Sequence, residues 1–498
     1  MLGRRVLSKL LVGWVLVAAH ADSAEAQAAV QAEDTQRIEN LAAFAQAYGA
    51  VRFFHPSDEA ASTNWDQFAI LGAQRVMDAG SQAELKLALE ALIHPIAPSV
   101  DVYAAGTEPK AVPVPEDTAG LTLVTWQHRG VLLESAQNIY GSVRLNRPAP
   151  MADADGTLAE PLFEARAKAG EVALLDLGQG LRLSVPLTLY SRDAQTLPVP
   201  NLNALEALNA ELDDVASTEE RYTDSARRAA DVIVAWSIFE HFYPYPDAIT
   251  GSWDDVLGEA LAGALQATSA NEHCEVLHGL VARLNDGHGN VFCAGLPRRA
   301  RLPFAVELVE GQVTVVASSD TSAARLGDLV ISVDGVAAET LFEREAELAS
   351  GSEHWRRYRA SQAFGSGPEG SQAQIMLDRD GKRVAVQVGR VERAPAERRP
   401  APIAEVEPGI MYVDIERITD SLFVARTEDL AAARGVVFDF RGYPGRMTPN
   451  FINFLTESPV VSTWYEIPQT IRPEAVAGAG ADSVRWSNMQ PAEPHIGG

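Results

Sequence analysis

The spacing of apolar residues changes along the chain and predicts segments of different structural class. Leu257, Leu261 and Leu265 recur every four residues, as on one face of an amphipathic helix. Residues 101–210 instead alternate apolar and polar positions, as in LTLVTW and LRLSVPLTLY, and Gly and Pro separate these runs. Such alternation predicts short strands. The pattern therefore predicts an α+β chain in which a β-rich insert, residues 101–210, separates helical segments.

The helical segments contain an internal repeat. When FFHPSDEAASTNWD (53–66) is aligned with HFYPYPDAITGSWD (241–254), the shared Pro and Trp positions both differ by 188 residues. This offset predicts two copies of one helical subdomain, at residues 33–100 and 225–300. Two copies are too few for a solenoid, so we expect a duplicated subdomain.

The last two hundred residues predict two further units. Residues 301–393 read as alternating strands with a hairpin at Asp380-Gly381. After a linker rich in Pro and Arg, residues 392–402, the chain predicts a strand (GIMYVDI), a helix (FVARTEDLAAA) and a second strand (GVVFDF). Thr448 and Pro449 then form an N-terminal signal for another helix. This order is expected of a parallel α/β layer over residues 403–498.

Length, charge and the N-terminus narrow the class of protein. The 498 residues exceed one hydrophobic core, and the net charge of −26 argues against nucleic acid or an anionic membrane as partner. Residues 1–26 have basic residues, a short apolar stretch and small residues at candidate cleavage positions, which is typical of an export signal. The stretch is too short to span a bilayer, so we expect a periplasmic or secreted protein without stable membrane insertion.

The two cysteines leave alternatives open. Cys274 and Cys293 could pair in an oxidising compartment, or could bind a metal together with nearby histidines. The spacings match no zinc pattern, so no metal site is predicted. No cofactor motif is present either.

Two motifs carry resemblances to known families. Arg325 to Gly335, with the sequence RLGDLVISVDG, resembles the most diagnostic stretch of PDZ domains. PDZ domains add a peptide strand to a sheet edge and hold its terminal carboxylate on backbone amides, so the resemblance implies peptide or protein C-terminal segments as partners. Pro303, in the candidate carboxylate loop LPFA, removes one amide donor. A purely structural module is the alternative.

The second resemblance is to the tail-specific, or C-terminal processing, serine peptidases. DFRGYPG, residues 439–445, resembles their core strand and the loop after it, and LNDGHGN, residues 284–290, resembles the Leu-x-Asp-x-His segment of the tricorn-like branch. The resemblance implies that His288 is the general base and that the Gly445 amide is an oxyanion donor. It also implies a crotonase-like α/β core, of which residues 403–498 would be the first part. The structural alternatives are a loop histidine bonded to neighbouring backbone and a tight turn in which Arg441 pairs with Asp439.

No nucleophile is assigned. In that family the serine follows the core strand and helix, and no serine after residue 447 has a similar context. We therefore expect an exported serine-type peptidase whose chain, as given, is an inactive fragment ending before the nucleophile. The alternative is a noncatalytic protein that binds peptides or hydrophobic ligands on the same fold. The sequence does not indicate the substrate sequence or the oligomeric state.

Overall fold

The chain is mixed α and β and divides into two compact units. The computed structural model describes residues 32–112, 114–131, 140–147, 158–217, 224–319, 323–441, 448–474, 479–485 and 488–497. Unit 1 comprises Met1–Arg283 and Ile467–Ala481, and unit 2 comprises Leu284–Glu466 and Asp482–Gly498. The predicted export signal, residues 1–26, lies outside the described residues. None of the helices in the described ranges is long and apolar enough to cross a membrane.

Unit 1 contains two helical segments. Helix α1 covers residues 32–54 of the described chain. It is followed by α2 (Asp58–Ser62), α3 (Trp65–Val76) and α4 (Gln82–Ile93). After the insert come α5 (Leu202–Ser217), α6 (Ser225–Phe242), α7 (Trp253–Gln266) and α8 (Ala270–Ala282). Helices α3 and α7 begin at the two tryptophans of the aligned motif.

Equivalent positions in the two segments make equivalent contacts at the offset of 188 residues. The Tyr48 hydroxyl donates to the carbonyl of Trp65 (3.2 Å), and the Trp236 indole N–H donates to the carbonyl of Trp253 (2.9 Å). Helices α4 and α8 start in the same way, because each is capped by a serine whose side chain accepts from the N–H three residues later. The repeated sequence thus forms a repeated set of helix contacts.

The β-rich insert forms two sheets in unit 1. Its strands are β1 (Asp101–Ala104), β2 (Thr122–Arg129), β3 (Gly141–Leu145), β4 (Val172–Gly178), β5 (Leu181–Pro186), β6 (Thr188–Arg192) and β7 (Gln195–Thr196). One sheet has the order β1-β5-β4, and β2, β3, β6 and β7 belong to the other. Phe53, Phe54 and Phe242 pack against Leu187 and Ala173 of the insert, so one apolar cluster joins it to the helices.

Two boundaries differ from the sequence prediction. Residues 467–481 were placed with the peptidase core, but the end of a later strand, His128 pairing with Thr470, extends the insert sheet and puts them in unit 1. Residues 284–300, placed with the second helical copy, belong to unit 2. The sequence pattern did not indicate either boundary, because pairing between strands that are distant in sequence leaves no local pattern.

Unit 2 begins with a six-stranded sheet. Its strands and helices are β8 (Arg299–Ala300), β9 (Phe304–Val309), β10 (Gln312–Ser318), β11 (Leu329–Val333), β12 (Val336–Ala337), α9 (Ala338–Glu347), α10 (Glu353–Ala363), β13 (Gly367–Pro368), β14 (Gln372–Arg379) and β15 (Lys382–Gly389). The sheet order is β15-β14-β11-β10-β9, with β12 beside β11 and a separate pairing of β8 with β13. Phe304, Val306 and Phe342 lie in its core with Phe364 of the turn after α10.

The turns of this module follow from its sequence. Asp380 and Gly381 have φ of 53° and 77°, and they connect Arg379 to its cross-strand partner Lys382, which confirms the predicted hairpin. Gly327, at φ 86°, precedes Asp328, whose buried carboxylate accepts from the Arg379 guanidinium and the Arg325 N–H. The Gly-Asp pair of the diagnostic stretch is thus a structural turn.

The α/β layer is the second part of unit 2. It comprises β16 (Ile403–Glu407), β17 (Ile410–Asp414), α11 (Asp420–Val424), α12 (Thr427–Ala431), β18 (Gly435–Asp439) and the paired strands β19 (Val460–Val461) and β22 (Asn488–Met489). Two further strands, β20 (Tyr465–Thr470) and β21 (Gly480–Val484), belong to the insert sheet, in the order β21-β20-β2-β6-β7. β17 and β18 are parallel, with Asp414 beside Asp439, as the strand-helix-strand pattern predicted. The predicted helix after Thr448 is instead a 3₁₀ helix, Pro449–Leu455, and Thr448 bonds to Asp420 rather than capping it.

The structure decides between a disulfide and a metal site for the two cysteines. Cys274 and Cys293 are both disulfide-bonded, and neither thiol is free. Thiolate ligands for zinc are therefore absent from this structure, and within the described ranges no group of three metal-binding side chains occurs.

Candidate functional site

The loop after α8 holds the histidine that the sequence nominated. Asn285 adopts a left-handed conformation (φ 53°), which ends the helical segment and starts the Asp-Gly-His turn. The Asp286 carboxylate accepts from the backbone N–H of His288 (2.9 Å), and its Oδ1 also lies 2.9 Å from the ring Nδ1. The imidazole is 71% exposed. The sequence alternative of a ring bonded to backbone is therefore not what the structure shows.

This contact fixes which ring nitrogen of His288 faces the carboxylate. A carboxylate only accepts hydrogen bonds, so the Nδ1–H is the donor in this contact and Nε2 takes no part in it. The same division of roles occurs in serine hydrolases, where an acid holds the base in the right tautomer. Asp286 was part of the sequence motif but was not nominated. Its signal was its place two residues before His288, the spacing of an Asx turn.

The loop is held against the start of α10. The N–H of Asp286 donates to Ser350 Oγ (3.0 Å). Gly351 has φ 122°, and a Cβ there would lie 3.0 Å from the Cα of Gly287 and closer still to the Trp355 ring. A side chain at Gly351 would therefore push the loop away from the start of α10. A Cβ at Gly287 would lie 3.7 Å from the Trp355 ring, an ordinary contact distance.

A second group of polar residues lies at the carboxyl ends of β17 and β18, and we name it the carboxyl-edge cluster. Its members are Glu397, Arg399, Tyr412, Asp414, Asp439 and Arg441. The Tyr412 hydroxyl donates to Asp439 (2.6 Å), and the Arg441 guanidinium and backbone N–H also donate to that carboxylate. The Arg441–Asp439 pairing, which the sequence analysis gave as the structural alternative to an oxyanion loop, is therefore present in the structure.

The cluster has strongly shifted ionisation. Hydrogen bonds from Arg441, supported by Tyr412, hold the pKa of Asp439 well below its usual range. Burial, followed by the hydrogen bond to Asp439, raises the pKa of Tyr412 to about 12. Asp439 is therefore a fixed anion and Tyr412 a fixed donor near neutral pH. Neither group is suited to proton exchange at that pH, so the cluster has a structural role at the strand ends.

The linker, residues 392–402, contributes Glu397 and Arg399 to the carboxyl-edge cluster. Glu397 accepts from Arg441 (2.8 and 3.0 Å), and Arg399 pairs with Asp414 (3.2 Å) and Glu416 (2.9 Å). The sequence identified residues 392–402 only as a linker, because charged residues in a Pro-rich segment carry no periodic pattern. The structure shows that Glu397 of this segment forms an ion pair with Arg441. Arg441 is the last described residue before the predicted oxyanion loop.

The nominated residues are only partly described. Gly445 lies outside the described residues, as do all of residues 442–447. His288 bonds to Asp286, and within the described residues no hydrogen bond or ion pair joins it to the carboxyl-edge cluster. The structure therefore supplies the environment of the predicted base and of the strand that precedes the loop, each within unit 2.

The six-stranded sheet ends in a strand edge beside a helix. Among the described residues β9 pairs only with β10, and α10 packs against β9. We name the unpaired side of β9 with the adjoining face of α10 the β9–α10 edge. Burial and the charge of Glu397 raise the pKa of Glu307 on β9, and burial and the charge of Glu416 raise that of Tyr358 on α10. The β9–α10 edge thus adjoins the carboxyl-edge cluster.

The other prominent histidines are structural. His55, His128 and His241 are buried in unit 1, where they contact serine hydroxyls, backbone carbonyls and the rings of Phe53 and Phe54. Burial lowers their pKa values to about 3, 3 and 4. Bases of that strength do not accept protons at neutral pH. His288 differs from these three in being exposed and in contacting a carboxylate.

No family model and no curated protein matches the chain. The crystal structure of mature CPAF resembles it with a TM-score of 0.36 and 15% sequence identity, over 49% of this chain and 60% of that one. Mature CPAF complexed with lactacystin resembles it with a TM-score of 0.36 and 14% identity, over 49% and 61%. The chain thus matches about three fifths of the length of these structures. We infer function from the residues of this chain and not from this similarity.

Proposed function

We propose that the chain belongs to an exported serine-type peptidase related to the tail-specific family, which hydrolyses peptide bonds in peptides or near protein C-termini. The observation that carries the proposal is the Asp286–His288 contact on an exposed loop. His288 would take the proton from the nucleophilic serine, and amides of the loop that includes Gly445 would receive the charge of the oxyanion. The nucleophile itself is not assigned.

The PDZ-like resemblance supplies the substrate side of the proposal. An extended peptide added to β9 would lie along α10, whose first turn carries the Trp355 that packs near Gly287 of the histidine loop. It would also lie beside the carboxyl-edge cluster, which ends at the strand preceding the oxyanion loop. Peptide binding and the predicted chemistry would thus use adjoining parts of unit 2.

Hydrolysis of an internally quenched peptide library by the protein tests the proposal. We expect cleavage, labelling of one serine by a fluorophosphonate, and a loss of about 10²–10⁴-fold in kcat for His288→Ala, because a general base contributes that much. His354→Ala, at an exposed histidine of α10, is the matched control and should retain activity. Cleavage that persists in His288→Ala would exclude this base.

The second candidate is a noncatalytic peptide-binding protein. The unpaired side of β9 beside α10, which could accept a peptide strand without any catalytic group, favours it. It predicts that peptides bind equally well to the wild type and His288→Ala, and that neither hydrolyses them. Calorimetry with a fluorophosphonate control separates the two candidates.

A further inference from the structure

Two stretches of unit 2 are basic although the chain as a whole is acidic. Residues 287–306 and 354–368 contain no Asp or Glu, whereas the whole chain has 67 Asp and Glu against 41 Lys and Arg. The arginines of these stretches are Arg298, Arg299, Arg301, Arg356, Arg357 and Arg359. Positive charge is therefore concentrated in two short parts of an acidic chain.

The fold brings the two stretches together. Gly287 lies beside the Trp355 ring in the first turn of α10, and the Arg301 guanidinium donates to the carbonyl of Gln362 (2.7 Å) in the last turn. Strand β8 then pairs with β13, which follows α10. Residues 288–300 thus connect two points beside opposite ends of α10, and they form one surface with that helix.

This surface, which we name the α10 basic surface, is open to solvent. Its exposed members are Phe292, Arg298, Arg299, His354, Arg357 and Arg359. The Arg299 and Arg357 side chains are 52% and 56% exposed, although they form ion pairs with Glu345 and Glu353. The two stretches contain six arginines, and subtracting these two carboxylates leaves a formal charge of +4. Ion pairing within unit 2 therefore reduces the local charge without neutralising it.

Phe292 adds an apolar side chain to the same surface. It is 88% exposed, the highest value among the large hydrophobic side chains of the described residues. It lies in a segment without helix or strand, between Gly289 and Gly295. Exposed aromatic and basic side chains together are typical of surfaces that bind at a lipid–water interface, where the ring enters the headgroup region and the cations bind phosphates.

We propose that the α10 basic surface binds anionic phospholipid membranes, with Phe292 at the headgroup level and the arginines on lipid phosphates. A guanidinium suits this role because it presents several donors in one plane to a phosphate. Such a contact is peripheral and reversible, because one aromatic side chain buries little apolar area.

The acidity of the remaining chain does not prevent this contact. Charges interact strongly only within a Debye length, about 10 Å at 0.1 M salt, so acidic groups farther from the membrane are largely screened. The expectation against an anionic membrane came from the net charge of −26, which averages over the whole chain. The local charge of the α10 basic surface decides the contact.

The inference goes beyond the proposed function and does not depend on it, because lipid binding requires no catalysis. His288 belongs to the same segment as Phe292. Membrane binding would therefore bring the proposed base close to the lipid surface, and peptides at that surface would be its nearest substrates.

Co-sedimentation of the protein with lipid vesicles tests the proposal. Vesicles of phosphatidylcholine with about one quarter phosphatidylglycerol are compared with vesicles of phosphatidylcholine alone. We expect binding to the anionic vesicles only, decreasing about tenfold or more between about 0.05 M and 0.5 M salt. Polyglutamate, an acidic chain without lipid, is the second probe, and its binding is measured by fluorescence anisotropy.

Two variants separate the apolar and the charged contributions. Phe292→Ser should weaken vesicle binding about fivefold, because the ring no longer enters the headgroup region. The double variant Arg298→Gln, Arg357→Gln should weaken it about twentyfold, since each arginine near an anionic membrane contributes about fivefold. Melting temperatures of both variants should equal that of the wild type, because these side chains are exposed.

Matched controls lie elsewhere in the same unit. Leu326→Ser replaces a side chain that is 75% exposed, and the double variant Arg325→Gln, Arg383→Gln removes two exposed guanidinium groups. None of these residues belongs to the α10 basic surface. Both control proteins should bind the vesicles as the wild type does.

Three outcomes would overturn the inference. The first is that the wild type does not bind anionic vesicles. The second is that the control variants lose as much binding as the surface variants, which would indicate a general effect of charge and exposed apolar area. The third is that Phe292→Ser binds vesicles normally while polyglutamate binds as well as lipid, which would identify an acidic protein segment as the partner. None of these outcomes bears on the peptidase proposal, because hydrolysis is measured separately.

Discussion

At the scale of single residues, the carboxyl-edge cluster depends on one phenol. Tyr412 is buried, and its hydroxyl donates to Asp439 (2.6 Å) and lies 3.2 Å from Asp414. A hydroxyl has one proton, so the shorter contact is the hydrogen bond and the longer one is electrostatic. Two carboxylates on neighbouring parallel strands thus share one polar neighbour, in addition to their arginines.

Replacing Tyr412 by Phe should loosen the ends of both strands. A hydrogen bond to a charged group contributes about 1.5–3 kcal/mol, and Asp439 would keep its bonds to Arg441. We expect a loss of about 2 kcal/mol, seen as roughly thirtyfold faster hydrogen exchange of the β17 and β18 amides by mass spectrometry. Tyr465→Phe, which removes a hydroxyl of the same unit outside the carboxyl-edge cluster, is the control. Equal exchange in the two variants would contradict the assignment.

At the scale of helices, the duplicated segments of unit 1 differ in how their glycines are packed. Gly72 in α3 is in contact with the ring of Phe44, and a Cβ at this position would overlap that ring. Gly258 in α7 has no atom within 4 Å of its Cβ position. Both glycines are inside helices, so the intrinsic preference for Ala over Gly is the same at each.

Alanine at these two positions should therefore have opposite effects. Gly258→Ala should stabilise unit 1 by up to about 1 kcal/mol, because only the helix preference changes. Gly72→Ala should destabilise it by about 1–3 kcal/mol, since Phe44 is fully buried and cannot move aside freely. Urea unfolding followed by the tryptophans of unit 1 measures the difference. A stabilised Gly72→Ala protein would show that α1 and α3 are not packed as described.

The sequence predicted helices and hairpins well because their determinants are local. Trp65 and Trp253 start helices, Asp380-Gly381 forms its hairpin, and Asp414 and Asp439 end parallel strands. The sequence missed what distant residues decide: the pairing of Thr470 with His128 and the contact of Arg441 with Glu397. For the site, the motif supplied His288, but the partner that orients it had to be observed. The role of Gly445 stays a prediction.

At the scale of the whole molecule, buried histidines make unit 1 sensitive to acid. The ordinary His pKa is 6.5, and burial lowers the values of His55, His128 and His241 to about 3, 3 and 4. Below pH 6.5 the unfolded chain therefore binds three protons that the folded unit excludes. A lowered folded pKa contributes stability above the unfolded value, and this stability is lost as the pH falls.

Glu240 acts in the opposite direction. Burial, with the nearby charge of Asp254, raises its pKa from 4.5 to about 7, so the folded state holds one extra proton between these values. The net difference between pH 6.5 and 4.5 is two protons, which corresponds to about 2.7 kcal/mol per pH unit. Lowering the pH from 6.5 to 4.5 should thus remove about 5 kcal/mol of unit 1 stability. Urea unfolding or hydrogen exchange of the unit 1 helices at several pH values measures this slope.

Glu240→Gln provides the decisive comparison, because it removes the opposing proton and leaves the three histidines in place. Above pH 7 the variant should be more stable than the wild type, since a buried carboxylate is no longer charged there. Between pH 6.5 and 4.5 its stability should fall more steeply, by three protons in place of two, or about 4 kcal/mol per pH unit. Glu206→Gln, at an exposed position of α5, should change neither the stability above pH 7 nor the slope between pH 6.5 and 4.5. Parallel pH profiles for the two variants would mean that Glu240 is ionised normally in the folded protein, and that burial of this face of α6 is less complete than the structure shows.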